Sequence, residues 1–140
     1  MAKLFSLEVH TPHRLFLSAE VEAISVSLED GEMGVYADHS FTAAPVKTGI
    51  LRIRDKTGTW KSAYTGEGIL EVSGHKTILM VDAAEWPEEI DRDRALAARD
   101  RARERLEAGV LMKFEIDTAR AELKRAETRL KLGAAPEASP

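Results

Sequence analysis

The chain has 140 residues, room for one ordinary domain or two small ones. It contains no cysteine, which excludes disulfides and thiolate metal sites, and its formal charge of −4 argues against a general binder of nucleic acid. No stretch is long and apolar enough to span a membrane as a helix, and Glu8 breaks the apolar run a signal peptide would need, so the expected compartment is the cytosol or its equivalent.

Short strands are expected through the first half. Phe5, Leu7 and Val9 alternate with Ser6 and Glu8, and Ile24, Val26 and Leu28 alternate with Ser25 and Ser27. Period two with one apolar face marks a half-buried strand. Further runs lie at Leu15–Leu17, Met33–Tyr36, Ile50–Arg54, Thr59–Tyr64, Ile69–Val72 and Thr77–Val81. Glu29-Asp30-Gly31, Lys56-Thr57-Gly58 and Ser73-Gly74 punctuate them as turns. Many short strands at this spacing predict an antiparallel β-sandwich or flattened barrel over residues 1–86.

Composition and period both shift near Trp86-Pro87. Residues 1–87 carry 8 Lys/Arg against 12 Asp/Glu, whereas residues 88–140 carry 12 of each, nine of the basic ones arginine. Ala95, Ala98, Ala102 and Leu106 make one helical seam; Ile116, Ala119, Leu123, Ala126 and Leu130 make a second. The expected fold is therefore α+β in two domains: the sandwich, then an α-helical hairpin over residues 87–132 turning near Gly109, then a disordered tail over residues 133–140. Alanine seams allow close approach but bury little area, so the hairpin should be held weakly. Val110, Leu111, Met112 and Phe114 make its turn unusually apolar, as a docking surface would be.

Candidate chemistry gathers in the hairpin. Ile90-Asp91-Arg92-Asp93-Arg94-Ala95 opens the first helix, and Lys124-Arg125-Ala126-Glu127-Thr128-Arg129-Leu130 lies in the second. An antiparallel pair can bring an acid and several arginines to one place, and guanidinium forks match phosphate oxygens. Arg94 and Arg101 share a helix face, as do Arg125 and Arg129. A nucleotide-sensing hairpin is one reading. The other is a solvated helix pair, with Asp91 as a cap and the arginines paired with Glu88, Asp93, Asp100 and Glu122. His10 and His13 are too isolated for a metal site, with Pro12 between them and no third ligand nearby. No P-loop, dinucleotide fingerprint or Ser/His/Asp arrangement is present, so no catalytic residue is assigned.

Three motifs carry a family resemblance. Gly31-Glu32-Met33-Gly34-Val35-Tyr36-Ala37-Asp38-His39 resembles the Gly-Glu-Leu-Gly-Ile-Tyr-Pro-Gly-His loop of the epsilon subunits of F-type ATP synthases. Gly66-Glu67-Gly68-Ile69-Leu70-Glu71-Val72 is similar to their Gly-Gly-x-Leu-Glu-Val strand, and Ile90-Asp91-x-x-Arg94-Ala95 to the motif that opens their C-terminal helices. Ala37-Asp38 stand where Pro-Gly is usual, and Phe41 where a proline often follows.

The resemblance implies a non-catalytic rotor subunit of bacterial type. Its sandwich would grip the gamma subunit of the central stalk and rest on the ring of membrane c subunits. Its hairpin would either fold beside the sandwich or extend into the alpha/beta catalytic head and block ATP hydrolysis. The implied location is the cytoplasmic face of the bacterial inner membrane, without insertion into it; a mitochondrial counterpart would need a transit peptide, and none is visible. No obligatory cofactor is implied, but ATP is a regulatory ligand in some members, with or without Mg2+. By motif match its residues here are Glu85, Ile90, Asp91, Arg94, Ala95, Arg101, Arg125 and Arg129. Ile90 and Ala95 would flank the base, Glu85 and Asp91 accept hydrogen bonds, and the arginines cover a triphosphate. Glu32 and His39 would meet the ring; the plainer alternative is a turn acid and a structural histidine. A reading of another class is a free-standing ATP-binding sensor that joins no rotor.

Overall fold

Alternation in the first half becomes nine strands in a computed structural model, which describes residues 3–109 and 111–134. They are β1 (Phe5–His10), β2 (Leu15–Leu28), β3 (Gly31–Tyr36), β4 (Thr42–Val46), β5 (Gly49–Asp55), β6 (Trp60–Thr65), β7 (Gly68–Ser73), β8 (Lys76–Val81) and β9 (Ala84–Glu85). Their order is β4-β7-β8-β1-β2-β5-β6-β9, with β3 also on β2; β1 and β8 run parallel and the other pairs antiparallel. The end strands β4 and β9 do not pair with each other, so this is an open sandwich and not a closed barrel. Phe5, Leu7, Val9, Val21, Ile24, Val35, Leu51, Leu70 and Leu79 are buried inside it.

Two strand expectations need correction. The runs at Leu15–Leu17 and Ile24–Leu28 belong to one 14-residue strand, in which Ser18 and Glu20 take the outer face while Val21 and Ala23 are buried. The long strand pairs with β1 along its first half and with β3 and β5 along its second, which lets it serve both layers. Strand β4 was not expected, because Thr42-Ala43-Ala44-Pro45-Val46 lacks apolar alternation and contains proline. As an edge strand bonded only to β7 it tolerates the missing donor.

Gly68 explains the glycine in the second motif. A Cβ there would overlap the Met80 carbonyl on the paired strand, a backbone group with nowhere to move. In the first motif Asp38 adopts φ 62°, the left-handed conformation more usual for glycine, which a short polar side chain tolerates. Its carboxylate receives Lys3 Nζ at 2.7 Å and lies 3.6 Å from His75 Nδ1.

The helices are α1 (Arg92–Glu107) and α2 (Lys113–Ala134), joined past Gly109, whose φ of 70° ends α1. Ala95 and Ala102 are buried on one, Ala119, Ala126 and Leu130 on the other, as the seams predict. Helix α2 runs on through Gly133 and Ala134, where the sequence reading began the disordered tail. Gly133 lies against Ile90: a Cβ on it would sit 3.6 Å from Ile90 Cγ2, and this packing supports the extra turn. Val110 and tail residues 135–140 fall outside the described residues. At the turn Met112 and Phe114 are 75% and 79% exposed. Among the described residues no helix is long and apolar enough to cross a membrane.

Candidate functional site

The link between sheet and hairpin sets the site. Strand β9 ends at Glu85, and a 3-10 turn at Pro87–Glu89 redirects the chain. Glu89 Oε1 accepts from the Trp86 backbone N–H and from Arg14 Nη2, each at 2.8 Å; Arg14 also donates to the Ala84 carbonyl at 3.2 Å. The Arg14 guanidinium, and then the Trp86 N–H, hold the Glu89 carboxyl below its usual range. Asp91 then caps α1, its Oδ1 accepting from the Arg94 N–H at 3.1 Å. The two helices are bridged by Arg103–Glu127 at 3.2 Å and Arg105–Glu122 at 3.4 Å.

A cavity of about 750 Å3 opens where the end of the sheet meets both helices. Glu85, Asp91, Arg94, Ala95, Arg101, Arg125 and Arg129 line it. Ile90, the eighth candidate, is not among the lining residues; it packs toward Gly133. Among the described residues the candidate arginines do not form the pairs with Glu88, Asp93, Asp100 and Glu122 that a solvated helix face would give, although Asp91 caps α1 as that reading has it. Among the described residues Arg94, Arg101 and Arg125 form no ion pair, while acids at 100 and 122 pair instead with Arg99 and Arg105. Three guanidiniums without an ion pair, in a cavity that Asp82, Glu85, Glu89, Asp91 and Glu122 also line, offer forks to a polyanion.

Arg129 differs. Its Nε and Nη2 donate to Glu85 Oε1 and Oε2 at 3.0 and 3.3 Å, a fork on a fork. Its guanidinium carbon lies 4.2 Å from the centroid of the Tyr64 ring. Tyr64 is fully buried, and its hydroxyl has no hydrogen-bond partner among the described residues. Burial pushes the Tyr64 phenol above its ordinary 10.0, against the opposing charges of Arg129 and Arg125.

Two further surfaces belong to the sandwich. Ladder register sets Pro45, Ile69, Met80, His10 and Leu15 side by side across β4, β7, β8, β1 and β2. Ile69, Met80 and Leu15 stay 50%, 44% and 54% exposed, an apolar stripe with a groove of about 480 Å3 beside it. Elsewhere Glu32 accepts from Arg52 Nη1 at 2.7 Å, and His39 Nδ1 lies 2.8 Å from the Ser40 carbonyl. Tyr36 and Phe41 are exposed on either side of His39 in the chain. His10 and His13 form no metal group with other side chains among the described residues.

Comparison with known proteins agrees with this architecture. The ATP synthase delta/epsilon chain β-sandwich domain matches residues 4–87, and the long α-helix domain of the same chain matches residues 88–132. The chain belongs to the ATP synthase delta/epsilon family. The ATP synthase epsilon chain of Caldicellulosiruptor bescii is 47% identical over 91% of this chain and 92% of its own length. That of Caldanaerobacter subterraneus subsp. tengcongensis is 44% identical over 94% and 95%. A chain in the Euglena gracilis mitochondrial ATP synthase, OSCP/F1/c-ring in rotational state 1, shares the fold with a TM-score of 0.80 at 22% identity, covering 94% of this chain and 82% of that one.

Sequence reasoning missed several cavity residues of this delta/epsilon chain. Arg105 and Glu122 line it too, and helical spacing could have found them, one turn from Arg101 and Arg125 respectively. Asp82, on the loop before β9, lines it as well, and Tyr64 lies outside the lining, beneath Arg129; neither had such a signal.

Proposed function

We propose that this ATP synthase delta/epsilon chain is the non-catalytic rotor subunit that couples the catalytic head to the membrane ring, and that its hairpin senses ATP. The observation that carries the sensing role is the cavity between sheet and hairpin, with Arg94, Arg101 and Arg125 free of ion pairs among the described residues. Such a cavity exists only while the hairpin is folded against the sandwich, so a polyanion bound there favours the folded form by its differential affinity. Extended, the arginine-rich helices would reach acidic surfaces of the alpha/beta head and restrain hydrolysis. The apolar stripe through Ile69, Met80 and Leu15 suits the gamma subunit, since a patch of this kind on a sheet face marks a protein contact. Glu32 and His39 stand for the contact with the c ring. In the cell the chain would lie at the cytoplasmic face of the inner membrane through these partners.

Calorimetric titration of the full chain with ATP, with and without Mg2+, tests the sensing role. Binding at millimolar concentration or tighter is expected. No heat, together with no NMR shift, sinks it and leaves the rotor role to be judged by assembly. The free-standing sensor predicts ATP binding without capture by gamma and c subunits.

A further inference from the structure

We propose that a cavity of about 400 Å3 on the other flank of α2 is a second anion site, one that takes a small oxyanion of the phosphate class. Lys124, Glu127, Thr128 and Lys131 line it from α2, and none of them lines the arginine cavity. At about 100° per residue these four lie roughly opposite Glu122, Arg125 and Arg129 on the helix. Thr128 and Leu132, one turn apart, are buried between the two flanks, where α2 meets the sandwich. The rest of the lining comes from the turns between β2 and β3 and between β4 and β5, and from β5 itself. The site is therefore complete only while the hairpin is folded.

Charge and shape both select such a ligand. Lys124 and Lys131 are seven apart on one helix face and meet no carboxylate among the described residues. Lys47 and Arg52 face the cavity from the sandwich. The two acids in the lining are already engaged: Glu32 accepts from Arg52 Nη1 at 2.7 Å, and Glu127 accepts from Arg103 Nη2, outside the cavity, at 3.2 Å. Lys47 is held only loosely, 3.6 Å from Glu29. Four cations against two acids leave the lining at +2. Its wall carries hydroxyls, which both donate and accept. A Cβ on Gly49 would collide with the Ser27 hydroxyl, so glycine is what lets that hydroxyl lie against the β5 backbone. Thr48 adds another from a buried position. With about 400 Å3 against 750 Å3 in the arginine cavity, the space suits one phosphate group better than a nucleotide.

The test titrates the full chain with inorganic phosphate at constant ionic strength and reads the amide NMR shifts of Ser27, Gly49 and Thr128. Three forms are compared: unsubstituted, Lys124→Gln with Lys131→Gln, and Arg94→Ala with Arg125→Ala. Saturable shifts at millimolar phosphate are expected. The lysine pair should weaken binding about threefold or more, as two exposed charges are lost, and the arginine pair should leave it within about twofold. Chloride at the same ionic strength should give no saturable shift, because screening does not pick out one cavity. Amide exchange of α2 should slow in phosphate, since the ligand bridges hairpin and sandwich. Equal shifts in chloride, or no saturable shift with phosphate, would overturn the assignment. So would a response that survives the lysine pair and is lost with the arginine pair, which would put phosphate in the other cavity. Glycerol 3-phosphate bound as tightly as the free ion would show that the site takes a phosphate group on a larger molecule; its exclusion would name the free ion. The site stands or falls apart from the nucleotide reading, which ATP titration tests on the other flank.

Discussion

The rings of Phe16 and Trp86 stack with centroids 4.5 Å apart and planes at 27°. Arg14 lies over the other partner of this cluster, 5.0 Å from the Phe16 centroid, and reaches on to Glu89. Strand β2 is thereby fastened to the segment that aims the hairpin. Trp86→Ala should cost about 1–3 kcal/mol, from lost aromatic contact and burial. Thermal unfolding gives the cost. Amide exchange should show faster opening of residues 92–107; exchange like that of the unsubstituted chain would mean that the linker does not set the hairpin.

Gly68→Ala should destabilise the sandwich by about 1–3 kcal/mol, because the added methyl meets the backbone of Met80 and Val81 and not a movable side chain. The denaturant midpoint measures it. An unchanged midpoint would show that β7 and β8 separate without cost.

Arg94→Ala, Arg101→Ala and Arg125→Ala should each weaken ATP binding about tenfold or more, since a hydrogen bond to a charged group is worth roughly 1.5–3 kcal/mol. Ile90→Ala should leave affinity within about twofold, because Ile90 faces Gly133 and not the cavity. Calorimetry separates the two classes. A large loss with Ile90→Ala would require the cavity to rearrange around the base.

Stability should be level through neutral pH and decline below about 4.5. Glu89, beside Arg14 and the Trp86 N–H, is held below its ordinary 4.5; Asp38, bonded to Lys3, and Asp55, bonded to the Thr57 hydroxyl, are held below 3.8. A carboxyl with a lowered folded pKa contributes stability above its unfolded value and loses it as pH falls through the folded one. These groups are exposed, so the decline should be shallow. Tyr64 has the opposite shift: burial raises it above 10.0, and its contribution is lost as pH rises beyond that value. Glu89→Gln should flatten the acid side of a stability profile and Tyr64→Phe the alkaline side.

Removing residues 88–140 from the assembled ATP synthase should raise ATP hydrolysis while leaving assembly intact. The comparison requires complexes of equal subunit content. Ile69→Asp with Met80→Asp should instead prevent capture by the gamma subunit, read by co-purification. Equal hydrolysis rates at low ATP would count against inhibition by the hairpin.

Local pattern settled much of this protein. Alternation at Phe5–Val9 and Ile24–Leu28 made strands, and the alanine steps at 95–102 and 119–126 made facing helices, because residue spacing alone decides which side chains share a face. Breaks in that pattern hid β4, whose Pro45 needs an edge position supplied only by the assembled sheet. The motifs likewise collected four arginines that line one cavity, without distinguishing them. Arg129 meets Glu85 across 44 residues of chain, while Arg125, one helical turn away, meets no acid among the described residues. Ile90 turns toward Gly133, and Tyr64 comes to lie beneath Arg129. Those relations depend on how α2 docks on β6 and β9, and docking is fixed by the shape and charge of surfaces distant in sequence, which no local period records.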